Sequence, residues 1–229
     1  MAFALILVIG IVLANVTGGS RSPGSAAPSG GAPSAAASAG RSGGGVKAGG
    51  VASGVPVGYP RTREGVTAAA VNYEVARSSP SYVTNQSFRH SVLAVMMASD
   101  SLAGQQQVDD RDAVKLTSAL GIGKDSSSRL ILRAAALGTQ VGSYSPEVAT
   151  VRVWMSELVG MTSSDSPVPV SANWSTYALT LQWQHGDWKI SDISQSAGPT
   201  PLQTSDRLPD SVGTFRKMDE DFHAPPYVG

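Results

Sequence analysis

The sequence predicts an α+β domain in which three to four helices pack on a curved antiparallel sheet, preceded by an apolar N-terminal segment and a linker. Three observations predict it. Apolar residues recur at helical spacing between Pro60 and Gly138. From Gly138 onward the period falls to two. The most patterned stretch, "LTLQWQHGDWKISDI" at 179–193, alternates apolar residues on either side of a tight polar turn.

Residues 2–16, "AFALILVIGIVLANV", are apolar except for Asn15. A run of this length falls between a secretory h-region and a full span of ~20 residues. It is read as a membrane anchor or a signal segment. The anchor is preferred, because a long tether is useful only when its far end is held. No Lys or Arg precedes the run, so a basic leader upstream of Met1 is expected.

Residues 17–55 are almost entirely Gly, Ser, Ala and Pro. Such a segment has little to bury and cannot offset the entropy lost on ordering. As a coil it would average roughly 35 Å end to end. The folded domain is placed at 56–198 and an extended tail at 199–229. The three cations of the linker are Arg21, Arg41 and Lys47, which leaves 14 basic against 17 acidic residues beyond it, a net charge of −3. With 15% charged residues overall and no basic cluster, a nucleic-acid partner is not expected. The absence of cysteine excludes disulfides, thiolate catalysis and Cys-based zinc sites.

The elements follow in order. Thr62 is a helix N-cap, and Val66, Ala69, Ala70, Tyr73 and Ala76 make one apolar face ending at Pro80. A second helix from Thr84 to Gly104 buries Phe88, Val92, Val95, Met96, Ser99 and Leu102. A third, short helix opens with Asp109, Asp110 and Asp112, where carboxylates suit the positive end of the helix dipole, and is capped by Gly121. "SSSRLILRAAALG" reads as a fourth helix or helical turn ending at Gly138.

Strands then follow. "TQVGSYS" is one and "EVATVRVWMSELVGM" another, with Val151, Val153 and Met155 facing one way and Arg152 and Trp154 the other. The two prolines of "TSSDSPVPV" make it a loop. "SANWSTYALTLQWQ" places Tyr177, Leu179, Leu181 and Trp183 on one face, and Gly186 turns the chain into the last strand. Trp183 and Trp188 flank that turn as cross-strand neighbours, a pairing worth ~0.2–1 kcal/mol over Ala–Ala.

Helices followed by a curved antiparallel sheet that closes in a W-x-x-G-x-W-x-I hairpin, here Trp183, Gly186, Asp187, Trp188 and Ile190, resemble the nuclear-transport-factor-2-like superfamily. The resemblance covers residues 60–195. With one membrane anchor and a linker in front, the layout is similar to the TcpC-type and VirB-type components of conjugative type IV secretion machines. The stretch "GVPVGYPRTREGVTAAAVNY" resembles the openings of secreted or membrane-anchored proteins of high-GC Gram-positive bacteria, the actinobacteria. The resemblance implies a cone-shaped, non-enzymatic scaffold outside the cytoplasmic membrane. Its expected contacts are other secretion-apparatus proteins, further copies of itself, and the membrane through residues 2–16.

No catalytic, cofactor-binding or metal-ligating set is expected. His90, His185 and His223 share no ligand spacing, and "GIGKDS" at 121–126 lacks the first glycine and the Ser/Thr of a phosphate loop. An isomerase- or dehydratase-like pocket would need a buried carboxylate facing a phenol, for which Tyr73, Tyr144, Tyr177 and Glu157 are available. The remaining alternative is a binding module for a small apolar or cell-wall ligand in the cone. In the tail, Phe215, Phe222 and Tyr227 are candidate partner contacts.

Overall fold

The computed structural model describes residues 46–123, 129–162 and 168–199. It opens with a hairpin of β1 (Gly50–Ala52) and β2 (Val55–Val57). Four helices follow: α1 (Arg63–Arg77), α2 (Pro80–Thr84), α3 (Gln86–Met96) and α4 (Ser99–Ala119). Four long strands end the described chain: β3 (Leu130–Tyr144), β4 (Val148–Met161), β5 (Ser171–Gln184) and β6 (Asp187–Ala197). They form an antiparallel meander in the order β3-β4-β5-β6. The result is a mixed α+β architecture with the helices against one face of the sheet.

The opening hairpin overlaps the end of the stretch that composition assigns to the linker, and Val46 and Ala48 ahead of it pack against the core. The reason is local. Ser53 and Gly54 both take positive φ, 50° and 77°, as a two-residue hairpin turn requires. His185 and Gly186, at 52° and 78°, do the same between β5 and β6.

Thr62 caps α1 by accepting from the Gly65 N–H at 3.0 Å. Gly65 permits the tight entry, because a Cβ there would lie 1.9 Å from the Pro60 carbonyl. Pro80 starts α2 rather than only ending α1, with Ser79 as its cap.

Three helical expectations need correction. The helix expected from Thr84 to Gly104 breaks at Met97–Ala98, where the Ala98 N–H donates to the Ile190 carbonyl at the sheet. The chain then continues as one long helix through Gly104, so Asp109, Asp110 and Asp112 lie well inside α4 and cap nothing. The fourth helix does not form: Leu130–Gly138 is the first half of β3, paired with Met161 through Trp154 of β4.

The core lies between the helices and the inner face of the sheet. Val66, Ala69, Ala70 and Tyr73 of α1 and Leu93 and Met96 of α3 meet Val151, Val153 and Met155 of β4, Leu179 and Leu181 of β5, and Trp188 and Ile190 of β6. A smaller cluster joins Leu116 and Leu120 to Leu130, Leu132, Val159 and Met161. Each Leu- or Val-sized side chain fully buried here contributes on the order of 1.5–3 kcal/mol. Among the described residues no helix is long and apolar enough to cross a membrane. Residues 2–16 lie outside the described residues.

Candidate functional site

Two sets of polar side chains are buried beside the apolar core. The first is built by helices. Arg77, in the last turn of α1, reaches Glu74 one turn back, with Nη1 at 3.2 Å from both carboxylate oxygens. Its Nη2 reaches both oxygens of Asp109 on α4, at 3.3 and 3.2 Å. Asp109 also accepts from Gln105 Nε2 at 2.7 Å and from the Tyr82 hydroxyl. Glu74, Arg77, Tyr82 and Asp109 are each at most 5% exposed.

The second set is built by the sheet. Glu157 of β4 points inward and accepts three hydrogen bonds from β5. Tyr177 Oη donates to Oε1 at 2.6 Å, while Ser175 Oγ and Asn173 Nδ2 donate to Oε2 at 3.0 and 3.2 Å. Gln195 of β6 donates from Nε2 to Ser175 Oγ at 2.9 Å and to Tyr177 Oη at 3.0 Å. Strand alternation explains the grouping: Asn173, Ser175 and Tyr177 are successive inward positions of β5, and Asn173 lies directly opposite Glu157.

The two sets act on each other electrostatically. Burial holds the Glu157 carboxyl above its ordinary value, against the opposing pull of its three donors and of Arg77. Burial also raises Glu74, opposed by Arg77 and assisted by the charges of Asp109 and Glu157. Desolvation works against the Arg77 cation, but Asp109 and Glu74 outweigh it and push its pKa up. Burial and Glu157 raise the Tyr177 phenol, which therefore stays protonated as a donor.

Of the residues a pocket enzyme would use, the structure brings Glu157 and Tyr177 together. It places the others elsewhere. Tyr73 Oη lies 2.9 Å from the Trp188 carbonyl and 3.2 Å from Asp187 Oδ2. Tyr144 donates to the Arg61 carbonyl at 3.1 Å and packs its ring on Trp188 at 6.1 Å. His90 Nε2 sits 2.9 Å from Asp110 Oδ2 on the neighbouring helix.

The chemistry open to the sheet set is narrow. Oε2 of Glu157 already holds two donors, and Oε1 holds the phenol proton that an isomerase would direct at its substrate. The arrangement locks three strands together.

The hairpin residues act as a clamp. Trp183 and Trp188 meet edge to face with centroids 5.4 Å apart. Trp188 Nε1 donates to the Pro60 carbonyl at 3.0 Å, and Ile190 is fully buried. Asp187, beside Gly186, receives the backbone N–H groups of Tyr59 and Trp188 at 3.1 and 2.9 Å and the Lys189 ammonium at 3.1 Å. The hairpin therefore fastens the entry to α1 onto the sheet. Phe215, Phe222, Tyr227 and His223 lie outside the described residues.

The Arg77–Asp109 contact is not visible to reasoning from local pattern. One signal could have found half of it: Leu102, Asp109, Ala113, Leu116 and Leu120 fall on one helical face if α4 is extended back past Gly104. A carboxylate within such a stripe needs a buried cation.

The chain belongs to the DUF8175 family, a domain of unknown function, with the match spanning residues 49–213. None of the curated proteins matches it. Three solved structures show similarity. One is an IcmL-like type IV secretion system protein from Legionella pneumophila subsp. pneumophila str. Philadelphia 1, at 9% identity and TM-score 0.48, over 62% of this chain and 98% of that one. Another is the intermembrane space region of the chloroplast protein ARC6, at 19% identity and TM-score 0.36, over 61% and 100%. The third is a calcium/calmodulin dependent protein kinase II association domain from Xanthomonas campestris, at 15% identity and TM-score 0.38, over 59% and 87%.

Proposed function

We propose that this chain is a membrane-tethered, extracytoplasmic assembly domain of nuclear-transport-factor-2-like fold that serves a conjugative or type IV-like secretion apparatus by protein–protein contact. One observation carries the non-enzymatic part of this reading. The inward carboxylate best placed for acid–base work, Glu157, spends both oxygens on Tyr177, Ser175 and Asn173 of the neighbouring strand. A general base must be within reach of a substrate proton, and here the nearest protons belong to the fold itself.

The sequence organisation supports the tethered part. An apolar segment at 2–16 and a Gly/Ser/Ala/Pro stretch behind it would let the folded domain range tens of ångströms from a membrane. The apparatus itself is inferred from the sequence resemblance to TcpC-type and VirB-type components.

The test is genetic. Deleting the gene is expected to depress DNA transfer or protein secretion sharply. The full chain should restore it, as should a chain whose residues 2–16 are exchanged for an unrelated membrane helix. A chain released from the membrane by a cleavable signal should not. Unchanged transfer and secretion in the deletion strain would overturn the proposal.

A further inference from the structure

We propose that the outer face of the sheet, turned away from the helices, is the docking surface for residues 200–213 of this same chain. That face is set by register. Arg152, Trp154, Ser156 and Leu158 of β4 lie beside Trp174 and Thr176 of β5, and beside Arg133 and Ala135 of β3.

The face is apolar in the middle. Trp154 and Trp174 stand diagonally across the β4–β5 pair, each only partly buried, with Leu158 partly buried beyond them. Diagonal neighbours of this size can touch and form one patch. The bulge residue Leu137 of β3, 46% exposed, borders it.

The chain itself is already turned onto this patch. After Ala197 it does not run off the end of β6. Gly198 takes φ 53°, its N–H donates to the Trp174 carbonyl at 2.8 Å, and its carbonyl accepts from Thr176 Oγ1 at 2.6 Å. The Pro199 carbonyl then accepts from the indole Nε1 of Trp154 at 3.0 Å. The polar edge of the tryptophan is spent on holding this crossing, and its ring is left for what comes next.

Three further facts name the occupant. The family match runs to Gly213, fourteen residues past Pro199, so the adjoining part of the tail belongs to the domain. Residues 200–213 supply Leu202, Leu208 and Val212 for an apolar patch. Their acids, Asp206 and Asp210, complement the exposed Arg152 at its margin. Strands lie ~4.8 Å apart and an extended residue spans ~3.3 Å. Three extended residues span about 10 Å, so the patch around Trp154, Ser156 included, is within reach of Leu202.

The natural chain has no cysteine, so paired cysteines report directly. In the full chain, Ser156→Cys with Leu202→Cys should close an intramolecular disulfide about tenfold faster than Val114→Cys with Leu202→Cys. Val114 is the control because it is 65% exposed on α4, in the helix layer. Equal rates, no closure, or bonds only between two chains, which would mean that a second copy occupies the face, would each overturn the proposal. Should the cysteine variants misfold, trypsin cleavage after Arg207 gives a second reading. Cleavage should be slow in the unmodified chain and rapid in Trp154→Ala. Equally rapid cleavage in both would count against docking.

Discussion

Tyr177 donates to Glu157 at 2.6 Å from the neighbouring strand, and Gln195 of the next strand donates to the same phenol at 3.0 Å. One hydroxyl thus joins β4, β5 and β6. The phenol proton is spent on a carboxylate that burial already holds above its ordinary pKa. Together these bonds fasten three strands through one buried carboxylate.

Tyr177→Phe removes a donor from Glu157 and an acceptor from Gln195 while keeping the ring. Leaving buried polar groups unsatisfied costs about 1–3 kcal/mol. Urea unfolding of the variant should show a lowered midpoint with an unchanged slope.

Arg77→Met leaves Glu74 and Asp109 buried without their cation, at a cost of about 3–5 kcal/mol. Adding Asp109→Leu should recover part of the loss, because an uncompensated charge is removed. A double-mutant cycle measures the recovery, and strictly additive losses would show that the pair is not coupled.

Stability should fall as pH rises from the ordinary carboxyl range through the raised values of Glu74 and Glu157. Both groups bind protons more tightly in the folded chain, so their contribution is complete below the unfolded pKa. It is lost as each folded-state pKa is passed. Asp110, whose carboxyl is held low by Gln86, Arg89 and His90 despite some burial, acts oppositely and only at more acid pH. Urea midpoints should decline in the natural chain as pH rises above the ordinary carboxyl range, and decline less in Glu74→Gln, which keeps the contribution of Glu157.

Trp188→Ala should cost about 3–5 kcal/mol, since it empties a fully buried site and releases the Pro60 carbonyl. Trp183, only partly buried with Arg61 stacked 5.4 Å from its ring centroid, should matter much less. Comparable losses at the two positions would contradict the clamp described for Trp188.

Much of the sheet was legible because its alternation is clean: Val151, Val153 and Met155 inward, Arg152 and Trp154 outward. The start of β3 was not. Leu130, Leu132, Ala134 and Ala136 do alternate, but Ile131 and Ala135 blur the period, and Ala favours helix on intrinsic propensity. Pairing with β4 overrides that preference. The break before α4 depends on a bond from Ala98 to Ile190, far off in sequence, while the stretch around Gly104 mimicked a helix end. Of the polar sets, Glu157 and Tyr177 were recognisable as residue types, yet only strand register brings them together. The ion pair between Arg77 and Asp109 spans 32 positions and leaves no local mark.

The most direct test of the account asks whether the inner carboxylate does chemistry. In the deletion strain, DNA transfer or secretion restored by a folded Glu157→Gln chain at normal abundance should match that restored by the natural chain. A variant that folds, accumulates and reaches the membrane yet restores nothing would mean that Glu157 acts on a substrate, and the assembly reading would be wrong.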